Sequence, residues 1–121
     1  MKKLLPVSLL ALLMLLFTNT SLHAQQAETK NSVVKIKTSA ECDMCKKRIE
    51  KEVGLMKGVK KAELDLTTKV LTVEYNPKKT SPDKIRTAIS NLGYDADDVK
   101  ANNRSQKNLP HCCQPKADSA Q

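Results

Sequence analysis

Tryptophan is absent from this sequence, phenylalanine occurs once and tyrosine twice. With so few flat side chains to stack on bases, an excess of basic residues does not read as a nucleic-acid interface. Histidine is almost as scarce, and His111 is the only one beyond the first two dozen residues. No nucleophile–histidine–carboxylate set can be assembled, and the three glycines form no phosphate-cradling loop, so no enzyme is expected. Negative charge is the minor partner, with 13 acidic residues against 21 basic ones and a formal net charge of +8. The basic residues are interspersed with acids rather than clustered, which suits an acidic docking partner better than a polyanion.

Long apolar runs are also missing, except from Leu4 to Phe17, interrupted by Pro6 and Ser8. That run is too short for a comfortable membrane span, and no stop-transfer pattern follows it. Met1-Lys2-Lys3 precedes it and a polar stretch ending at Ala24 follows, so residues 1–24 read as an export signal cleaved after Ala24. An uncleaved N-terminal anchor is the alternative. No cysteine lies near the cleavage point to carry a lipid. Beyond the signal, 25–31 reads as a flexible leader, 32–100 as one small domain and 101–121 as a flexible tail.

Within the domain the apolar pattern changes period several times. From Ser32 to Thr38 it alternates, with Val34 and Ile36 on one face, as in a half-buried strand. From about Asp43 to Met56 the residues Cys45, Ile49, Val53 and Met56 share one helical face. Val59 to Leu66 and Lys69 to Tyr75 alternate again across Thr67-Thr68, the mark of an antiparallel hairpin. Ser81 is suited to cap a second helix and Pro82 to start it. Ile85, Ala88, Ile89 and Leu92 form its stripe, and Gly93 its stop. Tyr94 to Val99 reads as a final strand. The order β-α-β-β-α-β predicts an α+β, ferredoxin-like fold, a four-stranded antiparallel sheet with two helices on one face.

The four cysteines fall in two tight pairs, Cys42/Cys45 and Cys112/Cys113, with no cysteine between. A disulfide framework would distribute them, whereas pairs suit a ligand set. Cys42 and Cys45 stand C-x-x-C at a strand-to-helix junction, where free N–H groups and the helix dipole favour thiolates. Lys46, Lys47 and Arg48 follow directly and are expected to lower the thiol pKa further. Thiolates suit Cu(I) and Hg(II), and Zn(II) less well because it usually takes four ligands. The same pair could instead form a disulfide and exchange it. Vicinal Cys112 and Cys113 would close a strained ring on each other, so they too favour metal, joining Cys42 and Cys45 if the tail folds back. His111 and Met44 are candidate additional ligands, each with an ordinary packing or solvent-exposed role as the alternative.

The C-x-x-C placement, the strand end Val73-Glu74-Tyr75-Asn76-Pro77 and the segment Leu92-Gly93-Tyr94-Asp95-Ala96 together resemble the heavy-metal-associated domain. This is the small module of copper chaperones, of the N-terminal arms of copper-pumping ATPases and of periplasmic mercury-binding proteins. The resemblance implies metal ligation by Cys42 and Cys45, with Tyr94 beside the metal loop. It also implies Cu(I), with Hg(II) or Zn(II) as alternatives, and a periplasmic carrier, secretion being the other possible fate. Delivery would be to a metal-transporting ATPase or other envelope carrier, from a monomer or a metal-bridged dimer. The departure is in the loop: Ser39-Ala40-Glu41 stands where the family carries Gly-Met-Thr, so its loop-anchoring methionine is missing. The rival readings are a thiol–disulfide exchange protein, disfavoured by the lack of Trp and Pro around C-x-x-C, and an interaction module for an envelope transporter.

Overall fold

The computed structural model describes residues 30–116. The expected export signal and most of the leader lie outside the described residues, as do residues 117–121. The elements are β1 (Ser32–Lys37), α1 (Asp43–Gly54), β2 (Val59–Asp65), β3 (Val70–Tyr75), α2 (Pro82–Leu92), α3 (Asn103–Lys107) and a 3-10 turn (His111–Cys113).

The three strands form one antiparallel sheet in the order β1-β3-β2. β3 is central because it pairs with β1 from Ser32 opposite Tyr75 to Lys37 opposite Val70, and with β2 on its other edge. Its alternation is clean: Leu71, Val73 and Tyr75 are buried while Thr72 and Glu74 are not. The β2–β3 turn is held by the Asp65 carboxylate, which accepts from the Thr67 and Thr68 N–H groups at 2.8 and 3.3 Å.

α1 buries Cys45, Ile49 and Val53, one residue per turn and all fully buried, against the sheet. It ends at Gly54, two residues short of the expected Met56, and Met56 packs against the core from the following loop. α2 is capped as its sequence predicts. The Ser81 hydroxyl accepts from the Lys84 N–H, Pro82 opens the helix, and Gly93 closes it at φ +106. Ile85 and Ile89 complete a core that also takes Ile36, Leu64, Leu71, Val73 and Tyr94.

One expectation is corrected. The fourth strand at Tyr94 to Val99 is not formed, so among the described residues the sheet has three strands rather than four. Ala96 makes isolated bridges to Thr38 and to Val99, and its N–H and carbonyl bond back to Val99 rather than along β1. Asp97, at φ +51, reverses the chain, and its carboxylate accepts the Lys37 N–H at 2.8 Å in place of a strand carbonyl. The Asp97 N–H also donates to the Lys37 carbonyl at 2.8 Å, so this segment meets β1 at its last residue and does not continue along it as a ladder.

In the stretch read as a flexible tail, the described residues 101–116 carry α3 and the 3-10 turn. Asn102 caps α3, its side chain accepting from the Ser105 N–H at 3.1 Å. Leu109 and Cys113 enter the core at 4% and 3% exposure. Ser90 ties this return to α2, its carbonyl accepting from the Asn102 N–H and its hydroxyl donating to the Lys100 carbonyl. Gly93 makes the approach possible, since a Cβ there would lie 2.8 Å from the Gln106 backbone nitrogen.

Candidate metal centre

The loop Thr38 to Cys42 leaves the end of β1 under tight backbone control. The Thr38 N–H and hydroxyl both donate to the Lys69 carbonyl, at 2.8 and 3.0 Å, and the Thr38 hydroxyl accepts the Ala40 N–H at 3.3 Å. The Ser39 hydroxyl accepts the Asp95 N–H at 2.9 Å, tying the loop to the segment after α2. Ala40 is fully buried, in the loop where the family's anchoring methionine is missing from this chain. Glu41 is held away in an ion pair with Lys69 at 2.7 Å.

Cys42 is the N-cap of α1, in extended conformation and with no side-chain cap. Its sulfur therefore sits at the free N–H groups of the first turn. Cys45 is fully buried one turn on, and the two sulfurs are 3.3 Å apart. The 3-10 turn brings the second pair to the same point. The Cys42 sulfur lies 3.1 Å from Cys112 and 3.6 Å from Cys113, which are themselves 3.8 Å apart. All four cysteines are free thiols. Cys42, Cys112 and Cys113 lie mutually within 4.8 Å, a set of three sulfurs close enough to hold one ion. The four sulfurs singled out from the sequence thus meet around Cys42, across a separation of 70 residues.

Their electrostatics differ sharply. The Cys42 thiol is lowered from 9.0 to about 6, chiefly by its hydrogen bond with Cys112 and further by the Cys45 N–H and the other thiols, against a desolvation penalty. The same contact raises Cys112. Burial pushes Cys113 up, and its contact with Cys45 adds to that. Lys46, Lys47 and Arg48 do not produce the low value at Cys42, contrary to expectation. Lys46 is turned to Glu50 and the Leu64 carbonyl, and Lys47 and Arg48 line a shallow surface groove with Met44 and Leu92.

Met44 is half exposed in that groove, the solvent-facing alternative rather than a ligand position. His111 is exposed beside Cys112 and lies outside the three-sulfur set. Tyr94 is fully buried against Cys45 and Cys113, which together with desolvation hold its phenol neutral. Its hydroxyl is the one buried side-chain polar atom among the described residues without a hydrogen-bond partner. Sequence reasoning missed Gly93 and Ser90 as the residues that seat the tail. Gly93 was legible only as a helix stop, and Ser90 carries no local signal at all.

The heavy-metal-associated domain family matches residues 32–95, which leaves Cys112 and Cys113 beyond the matched region. A copper-exporting P-type ATPase of Staphylococcus aureus (strain JH9) is 41% identical over 90 residues, 74% of this chain and 11% of that protein. This chain therefore spans about a tenth of the curated relatives it matches. Among solved structures, a CopZ metallochaperone aligns with a TM-score of 0.52 at 26% identity, over 54% of this chain and 98% of its own. The N-terminal domain of a potential copper-translocating P-type ATPase from Bacillus subtilis, in its Cu(I)-loaded state, aligns with a TM-score of 0.53 at 31% identity, over 55% and 85%. By its family match, its α+β architecture and its C-x-x-C loop, the chain belongs to the heavy-metal-associated domain family.

Proposed function

We propose that the protein is an exported soft-metal carrier that takes Cu(I) on Cys42 and Cys45, with Cys112 and Cys113 as additional ligands. It would act in the periplasm and hand the ion to a metal-transporting ATPase or other envelope carrier. The observation that carries this reading is the meeting of all four thiols at Cys42, with sulfurs 3.1 to 3.6 Å from it. Soft thiolates select soft ions, so Cu(I) ranks first, Hg(II) second and Zn(II) third.

Transfer follows from the exposure of the sulfurs. Cys42 is partly exposed and Cys112 is open to solvent, while Cys45 and Cys113 are buried. An incoming thiolate would reach the ion from the Cys42–Cys112 side and replace the protein's sulfurs one at a time. The exposed sulfurs leave first and the buried Cys45 last, so the ion is never released to water. A monomer suffices for this, with a metal-bridged dimer as the alternative.

The thiol–disulfide exchange reading is favoured by one observation, the low value of about 6 at Cys42, which is shared by exchange-competent thiols. One titration separates the two. The reduced protein is titrated with Cu(I), Hg(II) and Zn(II) against a competing chelator, alongside Cys42→Ser/Cys45→Ser. Tight Cu(I) binding that disappears in the double variant is expected. Unchanged affinity in that variant would remove the site, and insulin reduction by the metal-free protein would favour exchange chemistry.

A further inference from the structure

We infer that the site has a second class of cargo, trivalent arsenic or antimony presented as the neutral oxyacid, held by the sulfurs of Cys42, Cys112 and Cys113. This rests on the reading of Cys42 and the tail thiols as ligands, and it assigns them a geometry that Cys42 and Cys45 alone do not offer.

The triangle of sulfurs has edges of 3.1, 3.6 and 3.8 Å. With thiolate–metal bonds of ~2.3 Å, sulfurs stand about 4.6 Å apart in a linear pair, about 4.0 Å in a flat trigonal set and about 3.8 Å in a tetrahedron. None of the edges exceeds the tetrahedral value. An ion bonded equally to the three sulfurs therefore stands above their plane, at the apex of a low pyramid. A tetrahedral ion would need a fourth ligand, but Cys45 touches Cys42 at 3.3 Å without joining the mutually close set. Three-coordinate pyramidal bonding is the geometry of a trivalent centre with a lone pair, which needs no fourth ligand.

The triangle is also built in advance. Leu109 and Cys113 are buried in the core, α3 rests on Gly93, and the Gln114 side-chain amide donates to the Leu109 carbonyl at 2.9 Å and to the Lys107 carbonyl at 3.2 Å. The entropy of gathering three thiols is thus met by folding rather than by binding. Exposed Cys112 and partly exposed Cys42 leave the triangle open to a small neutral solute.

The reaction balances without an oxidant or reductant. At each step an S–H proton joins a hydroxyl on arsenic, the As–O bond breaks, an As–S bond forms and water leaves. Three such steps convert As(OH)3 and three thiols to the tris-thiolate and three waters, with arsenic trivalent throughout.

The test mixes the reduced full chain with sodium arsenite under anaerobic conditions and reads intact mass and the number of free thiols. One arsenic per chain is expected, with a mass gain of one arsenic less three hydrogens and a single thiol, buried Cys45, left unbound. Cys45→Ser keeps the adduct, whereas Cys42→Ser, Cys112→Ser and Cys113→Ser each lose the three-thiol product. Gly93→Ala retains every thiol but displaces α3, and its arsenite affinity falls on the order of 10-fold, as when supporting contacts around a bound ion are lost. Wild-type protein that binds Cu(I) but ignores arsenite overturns this inference and leaves the copper reading standing. Failure with both ions overturns both. Loss of the adduct in Cys45→Ser overturns the assignment to the tail triangle.

Discussion

At the scale of single residues, the site is decided by which thiol holds charge. Cys42 titrates near 6 because its thiolate is bonded by Cys112 and the Cys45 N–H. Its reactivity should therefore rise as pH climbs through about 6, well below the ordinary thiol range. Iodoacetamide labelling followed across pH by peptide mass mapping checks this. Cys112→Ala removes the contact that lowers Cys42 most and should move the midpoint upward, while buried Cys113 labels slowly throughout. Tyr94 makes a second residue-level prediction. A buried hydroxyl without a partner costs on the order of 1–3 kcal/mol, so Tyr94→Phe should stabilise the metal-free protein by about 1 kcal/mol in urea unfolding. A loss of stability would mean that the hydroxyl is bonded to a sulfur.

At the scale of elements, caps and left-handed residues carry the fold. Ser81→Ala should cost about 1 kcal/mol because the Lys84 N–H loses its acceptor, measurable as a lower denaturant midpoint. Gly93→Ala should cost more, about 2 kcal/mol, since φ +106 strains any side chain and the new Cβ meets the α3 backbone. Hydrogen exchange should then show α3 and the 3-10 turn losing protection before β1 or β3 does. Elements with strong local period were legible: β3 alternates through Leu71, Val73 and Tyr75, and α1 repeats at Cys45, Ile49 and Val53. Residues 94–99 read as a strand as well, yet form none. Asp97 takes the Lys37 N–H with its side chain, a competition between side chain and backbone that a periodicity argument does not see.

At the scale of the whole molecule, the proposed site would couple ion binding to folding. The proposed ligands lie in the C-x-x-C loop and in a turn some 70 residues away, so an ion held by both groups would tie the two ends of the described fold together. Cu(I) at 100 times its dissociation constant should add about 2.7 kcal/mol of stability, seen as a raised Tm. Removing it with a chelator should return the Tm to the metal-free value. With Cys112→Ser/Cys113→Ser the gain should shrink, because the ion then binds only the loop pair.

The sequence by itself determined the order of the main elements, the caps of α2, the C-x-x-C placement and the family they resemble. Each is written in residues a few positions apart, through side-chain period, a hydroxyl cap or a left-handed glycine. Only the tertiary structure decided that the sheet stops at three strands, that the segment after Lys100 folds, and that Cys112 and Cys113 converge on Cys42. Those outcomes turn on long-range packing: Leu109 and Cys113 entering the core, and α3 fitting over a glycine that has no side chain to exclude it. Such contacts have no signature in a local pattern, because each depends on what the distant partner leaves open.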